Sequence, residues 1–176
     1  MGNRSSRGQV LSTEVVVCMG LFTAALIALL AAWNSMHQSY LDEAGQAEMA
    51  TALAGISDMA VLSPGEPAGW EAGEIGDASA IGLASSPNVL SERKLSALQS
   101  LDETQYSEAK ERMGAGRFGL YLSVSDAGGV IHSFGRQADY SDSSVQALDS
   151  GRLALLDGKV VRVRVQLWRK RGGGTA

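Results

Sequence analysis

RSSRGQVLSTEVVVCMGLFTAALIALLAAW, Arg4 to Trp33, starts basic, passes Ser12, Thr13 and Glu14, and then becomes the longest apolar run of the chain. Val15 to Trp33 is 19 residues without a charge. As a helix rising ~1.5 Å per residue, such a run matches the ~30 Å hydrocarbon core of a bilayer. A helix buried in a small core is the competing reading, but those helices usually show a polar face and this run shows none. A secretory signal peptide also has a basic start and an apolar middle, yet its apolar part is about 7 to 15 residues long and a small-x-small cleavage site follows. No Ala-x-Ala occurs between Gly20 and Met36, so the run is expected to be kept as a membrane-spanning helix.

The flanks orient it. All 15 Lys and Arg fall either at Arg4 and Arg7 or from Arg93 onward, so Gly8 to Glu92 carries acids and no fixed cation. Arg4 and Arg7 precede the run while Asp42, Glu43 and Glu48 follow it, which places the N-terminus in the cytoplasm and the C-terminal part outside. Once the span is set aside, the 176 residues leave one modest domain. A net charge of -4 and a pI near 5.2 argue against nucleic-acid binding, and the one basic cluster, Arg169 to Arg171 beside glycines, reads as a solvated tail. Cys18 is the only cysteine, which excludes an internal disulfide.

Beyond the run, Tyr40, Leu41, Ala44, Ala47, Leu53, Ile56 and Ala60 recur at spacings near three and four. This predicts an amphipathic extension of the same helix, with Gly45 and Gly55 as places for a bend or break and Pro64, Gly65 and Pro67 as its end. Residues 62–90 are rich in Gly, Pro, Ser and Ala and read as a connector anchored by Trp70, Ile75, Ile81 and Leu83. Two short helices follow. Ser91 caps the first, which turns Leu95 and Leu98 inward; Asp102 and Gln105 resemble a capping box for the second, which carries Tyr106, Ala109 and Met113 up to Gly114.

The remainder alternates. Phe118, Leu120, Leu122 and Val124 lead through SDAGG into Val130 to Phe134, and Arg152 to Leu156 turns at Asp157-Gly158 into Lys159 to Trp168. In the last strand Val161, Val163, Val165 and Leu167 face one way and Arg162, Arg164 and Gln166 the other, which implies a buried face and a wet one. The expected fold class is α+β: a long N-terminal membrane-spanning helix, then a small external domain of short helices and an antiparallel sheet.

No catalytic constellation emerges. Gly114-Ala-Gly116-Arg-Phe-Gly119 fits G-x-G-x-x-G as a string, but it runs from helix to strand, whereas a pyrophosphate needs strand to helix. His37 and His132 fall in separate elements without a second ligand at a recognisable spacing, and no G-x-S-x-G elbow occurs. Paired acids such as Asp42-Glu43 and Asp102-Glu103 fit helix starts or solvated faces. No enzyme activity, metal, cofactor, nucleic acid or small-molecule substrate is expected. Glu14 stands apart: an acid at the head of a membrane helix is costly without a partner, unless it snorkels to the headgroups.

Arg7-Gly8-Gln9, followed by a polar pair and an acid leading an apolar helix, resembles the class III signal peptide of archaeal type IV pilin-like proteins. Ser63-Pro64-Gly65-Glu66-Pro67 ahead of Trp70, Ile81-Gly82-Leu83-Ala84, Leu90 to Leu98 and RLALLDGKVVRVRVQLW extend the resemblance over most of the chain. The resemblance implies that a prepilin peptidase cuts between Gly8 and Gln9, removing 1–8 and leaving the helix in place. The commonest family motif is Gln-x-Ser-x-Glu, whereas this chain has Gln9-Val-Leu-Ser12-Thr-Glu14, one step later.

The layout that results is a leader over 1–8, a membrane helix with its outward extension over 9–61, a connector over 62–90, a pilin-like domain over 91–168 and a tail over 169–176. Gly8 and Gln9 are the processing pair, and Ser12 and Glu14 are assembly candidates. Two roles follow from the resemblance: a major or minor filament subunit that meets other pilin-like subunits, or a single-pass accessory or binding protein that stays in the lipid. The acidic run without Lys or Arg makes dense self-packing less favourable and leans toward a minor or accessory role.

Overall fold

The computed structural model describes residues 5–101 and 105–170, without the side chains of 5–12 and 38–42. The chain divides into two compact units, Met1–Gly45 and Gln46–Ala176. One helix, α1, is assigned over Ser5–Leu62, so neither Gly45 nor Gly55 ends it. A Cβ on Gly55 would meet nothing within 4 Å, which shows that no close packing requires this glycine.

The first unit contains the apolar part of α1. Thr13–His37 is a 25-residue helical stretch, long and apolar enough to cross a membrane, and none of it is buried within the chain.

The second unit is an α+β domain with a six-stranded sheet. Its strands are β1 (Ala84–Ser86), β2 (Val89–Leu90), β3 (Gly119–Asp126), β4 (Gly129–Gly135), β5 (Val145–Leu156) and β6 (Lys159–Lys170), in the order β1-β2-β5-β6-β3-β4. The sheet is mixed, which corrects the antiparallel expectation: β2 runs parallel to β5 through Val89 and Leu155. The two strands of the connector are too short to show periodicity. Asn88, in the left-handed region at φ 62°, turns between them, and its carbonyl accepts the Leu155 amide at 2.8 Å. Both expected hairpins form. Asp157 and Gly158, at φ 50° and 75°, make the tight β5–β6 turn that a two-residue loop requires.

One face of this sheet is covered by the outer part of α1, the connector, α2 (Glu92–Leu101) and α3 (Tyr106–Arg112). Along the outer part of α1 the buried apolar positions are Met49, Leu53, Ile56, Ala60 and Val61, with Ser57 buried among them; Ala44 and Ala47, expected on that face, are exposed. Spacings of four, three and four make 49, 53, 56 and 60 the true stripe. Leu95 and Leu98 of α2 are buried as expected, and the Ser91 carbonyl accepts the Leu95 amide at 3.1 Å. Gln105 precedes α3 without a side-chain cap, and Asp102 and Glu103 lie outside the described residues. The Tyr106 hydroxyl replaces such a cap as the anchor of α3: it donates to the Leu120 carbonyl at 3.1 Å and accepts the Leu120 amide at 3.0 Å.

The connector is more ordered than a loop reading implies. Trp70, Ile75, Ile81 and Leu83 are all buried, and the Trp70 indole donates to the Gly82 carbonyl at 2.9 Å. A Cβ on Gly82 would stand 2.1 Å from the Ser63 carbonyl oxygen, so the two arms of the connector touch only because that residue is glycine.

Candidate assembly site

The candidate site is a helix surface, and its residues follow from the opening stretch. Glu14 lies in α1 one residue before the apolar run, and its side chain is exposed. Val15, Val16 and Val17 follow it, and the run ends at Trp33, which is 72% exposed. A soluble monomer rarely leaves so long an apolar surface uncovered, because each buried Å² contributes about 25 cal/mol. Gly8, Gln9 and Ser12 belong to α1 by backbone, and their side chains lie outside the described residues.

One feature of this helix was missed in the sequence. Gly20, Ala24, Ala28 and Ala32 recur every fourth residue, which puts a row of small side chains along one side. A Cβ on Gly20 would meet nothing within 4 Å. In lipid such rows let helix backbones approach closely. The Thr23 hydroxyl, bonded to the Met19 carbonyl at 2.8 Å, is satisfied within the helix. The signal was legible as small-xxx-small spacing.

In the domain the acid-only and cation-bearing halves of the sequence meet. Arg152 holds Asp58 of α1 through Nε at 3.1 Å and Nη2 at 2.8 Å, and Arg117 pairs with Glu48. Part of the acidic run is therefore compensated inside the chain, which removes the reason to disfavour self-packing at these two positions. His132 lies in β4, as expected of a strand residue, with Nε2 at 2.9 Å from Glu92 Oε1 and Nδ1 at 3.2 Å from Gln99 Oε1. This is a link between strand and helix. His37 lies in α1.

Lys94 is nearly fully buried and its ammonium donates to the Pro64 and Ala84 carbonyls, which ties the connector to α2. Burial pulls its pKa below the ordinary lysine value, and the charge of Glu71 partly offsets this. Burial likewise lowers the Lys110 pKa, against the charge of Glu111. Gln166, expected on the wet face, is buried because the segment after β4 folds over it. Its Oε1 accepts the Ala138 amide at 2.9 Å, and its Nε2 donates to the Tyr140 hydroxyl at 2.7 Å and to Asp149 Oδ1 at 3.1 Å.

Arg169 and Lys170, assigned to a solvated tail, are strand residues: Arg169 donates to Gln146 Oε1 at 2.8 and 3.0 Å, and Lys170 lies 3.3 Å from Asp142 Oδ2. Arg171 lies outside the described residues.

The glycine string at 114–119 runs from α3 to β3. Gly114 and Gly116 take φ 84° and 52° in the turn, and a Cβ on Gly119 would lie 2.2 Å from the Trp168 indole. Turn geometry and aromatic packing account for these glycines. Among the described residues no group of three or more His, Cys, Asp and Glu side chains is placed to hold a metal ion. The chain matches no protein-family model, no curated protein and no solved structure.

Proposed function

We propose that this protein is a structural subunit, major or minor, of an archaeal type IV pilus-like cell-surface filament. A prepilin peptidase cuts between Gly8 and Gln9, the apolar helix is retained, and subunits assemble through it while the α+β domain stands outside the membrane. The observation that carries this reading is the exposed 25-residue apolar helix, which contributes nothing to the domain core and is headed by an acid.

In the membrane that helix is covered by lipid, and in a filament by its neighbours. The cut creates an α-amine of ordinary pKa about 7.7 to 8, mostly cationic at neutral pH. Paired with Glu14 of a neighbouring subunit in a dry bundle, it lowers the cost of both charges and sets axial register. The row from Gly20 to Ala32 gives the helices a side on which to approach.

Shearing native cells tests this. The chain should appear in the sheared filament fraction, and Glu14→Gln should insert normally while filament recovery falls about tenfold, the effect of losing ~1.4 kcal/mol per contact. Retention of the chain in membranes alone would indicate a single-pass accessory protein, and normal filaments from Glu14→Gln would remove the proposed pairing.

A further inference from the structure

Along β6, Arg162, Arg164 and Gln166 alternate with the buried Val161, Val163 and Val165, so their side chains share the open face of the sheet. The β5–β6 register sets Leu153 opposite Arg162, Gly151 opposite Arg164 and Asp149 opposite Gln166 on that same face. Gly151 has open space where a Cβ would be, and above it lies a shallow hollow of about 400 Å³ bounded by Asp149, Leu153, Arg162 and Arg164. Its size falls in the range of small-ligand sites.

The polar groups at this hollow are held in place from below. Gln166 is 2% exposed, and its Nε2 donates to Asp149 Oδ1 at 3.1 Å. Arg164 reaches the same oxygen through Nε at 2.8 Å and Nη2 at 2.8 Å. Three donor groups thus converge on Oδ1, while Oδ2 has no hydrogen-bond partner among the described residues. At the other end of the hollow Arg162 is exposed and has no ion-pair partner among the described residues. A fixed acceptor and an unpaired cationic donor therefore face one hollow, about 13 Å apart along β6 at ~3.3 Å per residue. Beside Asp149, Tyr140 is 66% exposed although its hydroxyl accepts the Gln166 Nε2 proton at 2.7 Å, which fixes an open aromatic ring over the sheet.

We propose that this hollow binds a short acidic saccharide. Hydroxyls of one sugar ring donate to Asp149 Oδ2, a carboxylate on the next accepts from the Arg162 guanidinium, and the C–H faces of the rings lie on Tyr140 and Leu153. Charge-assisted hydrogen bonds of this kind are the strong ones, and the planar guanidinium matches a carboxylate in two contacts. An acidic peptide supplies the carboxylate but brings like charge to Asp149, whereas a hydroxylated ring satisfies both ends. The site lies within the external α+β domain, so it serves the chain equally as a filament subunit or as a single-pass protein.

Titration of the full-length chain, in a detergent without a sugar headgroup, tests it by amide chemical shifts. The galacturonate dimer should give saturable shifts at Ser150, Gly151 and Arg162, and the galactose dimer of the same linkage should bind about tenfold more weakly, as the loss of a charged hydrogen bond implies. Gly151→Val fills the hollow without touching a polar group, and it should abolish the shifts while the urea midpoint stays in place. Arg162→Gln changes an exposed side chain and should weaken the galacturonate dimer about tenfold while leaving the neutral dimer unchanged. Equal affinity for the two dimers, absence of saturable shifts with either, or full binding by Gly151→Val would overturn the site. Tighter binding of tetraglutamate than of the galacturonate dimer would assign the hollow to an acidic peptide and reject the saccharide.

Discussion

Thr13–His37 and residues 46–62 belong to one helix, yet they treat apolar side chains in opposite ways. In the later stretch Met49, Leu53, Ile56 and Ala60 fall on one side and are buried in the domain, with Asp58 turned out to Arg152. In the earlier stretch Phe22, Ile27, Leu29 and Trp33 are all more than 60% exposed, and the apolar residues run round the whole helix. The difference separates what a chain can satisfy by itself from what it must find elsewhere. An amphipathic stripe needs one covering surface, which this domain has; a helix that is apolar all round needs cover on every side, from lipid or from other helices.

The comparison breaks most easily by making the same substitution in both stretches. Ile56→Ala should destabilise the domain by about 3 kcal/mol, through lost burial and the cavity left behind, whereas Ile27→Ala should leave its unfolding midpoint unchanged. Urea unfolding of the two variants in detergent measures both. Next in size, Leu26→Arg at the middle of the apolar run should disfavour membrane insertion by about 3 kcal/mol, seen as a shift of the chain out of the membrane fraction.

Lys94→Met probes how the domain holds its connector. Two buried carbonyls lose their donor, so stability should fall by about 2 kcal/mol in the same unfolding experiment. Arg152→Ala should cost about 0.5 kcal/mol or less, since Arg152 and Asp58 are both substantially exposed and water screens such pairs.

The smallest effect is a local pH response. Hydrogen bonds from the Ser141 and Ser144 side chains and amides hold the Asp139 and Asp142 carboxyls below their ordinary value of 3.8. Their folded pKa values are depressed, so the stability they contribute is present above 3.8 and is lost as pH falls through the lowered values. Amide chemical shifts of Ser141 and Ser144 should titrate together in that window, and shifts that stay flat would show that the turns do not depend on the carboxylates.

Much of the fold was legible because it is written in local periodicity. The apolar run, the end of α1 before Pro64 and the turn at Asp157-Gly158 each follow from short-range signals. The departures come from contacts distant in sequence. β2 is two residues long and pairs with a strand more than sixty positions away, so no periodicity could reveal the parallel step that makes the sheet mixed. Gln166 alternates like a surface residue, and only the fold of 138–144 over it shows why it is buried. β5 begins at Val145, seven residues before the expected start at Arg152, and Val145 to Gly151 are held as strand by their pairing with β6.

The candidate site divides in the same way. The exposed helix and Glu14 follow directly from the opening stretch, and the small-residue row was present in the spacing but unread. The match of Glu48 and Asp58 to Arg117 and Arg152 needed the fold, because a charge balance counted along the chain does not say which charges meet.

The claim that the helix is processed at its head and then retained is tested most directly by the intact mass and N-terminal sequence of the chain from native membranes or sheared filaments. A mature chain beginning at Gln9 and still containing Val15 to Trp33 is the predicted result. A chain that still begins at Met1, or one that begins beyond Trp33, would contradict it.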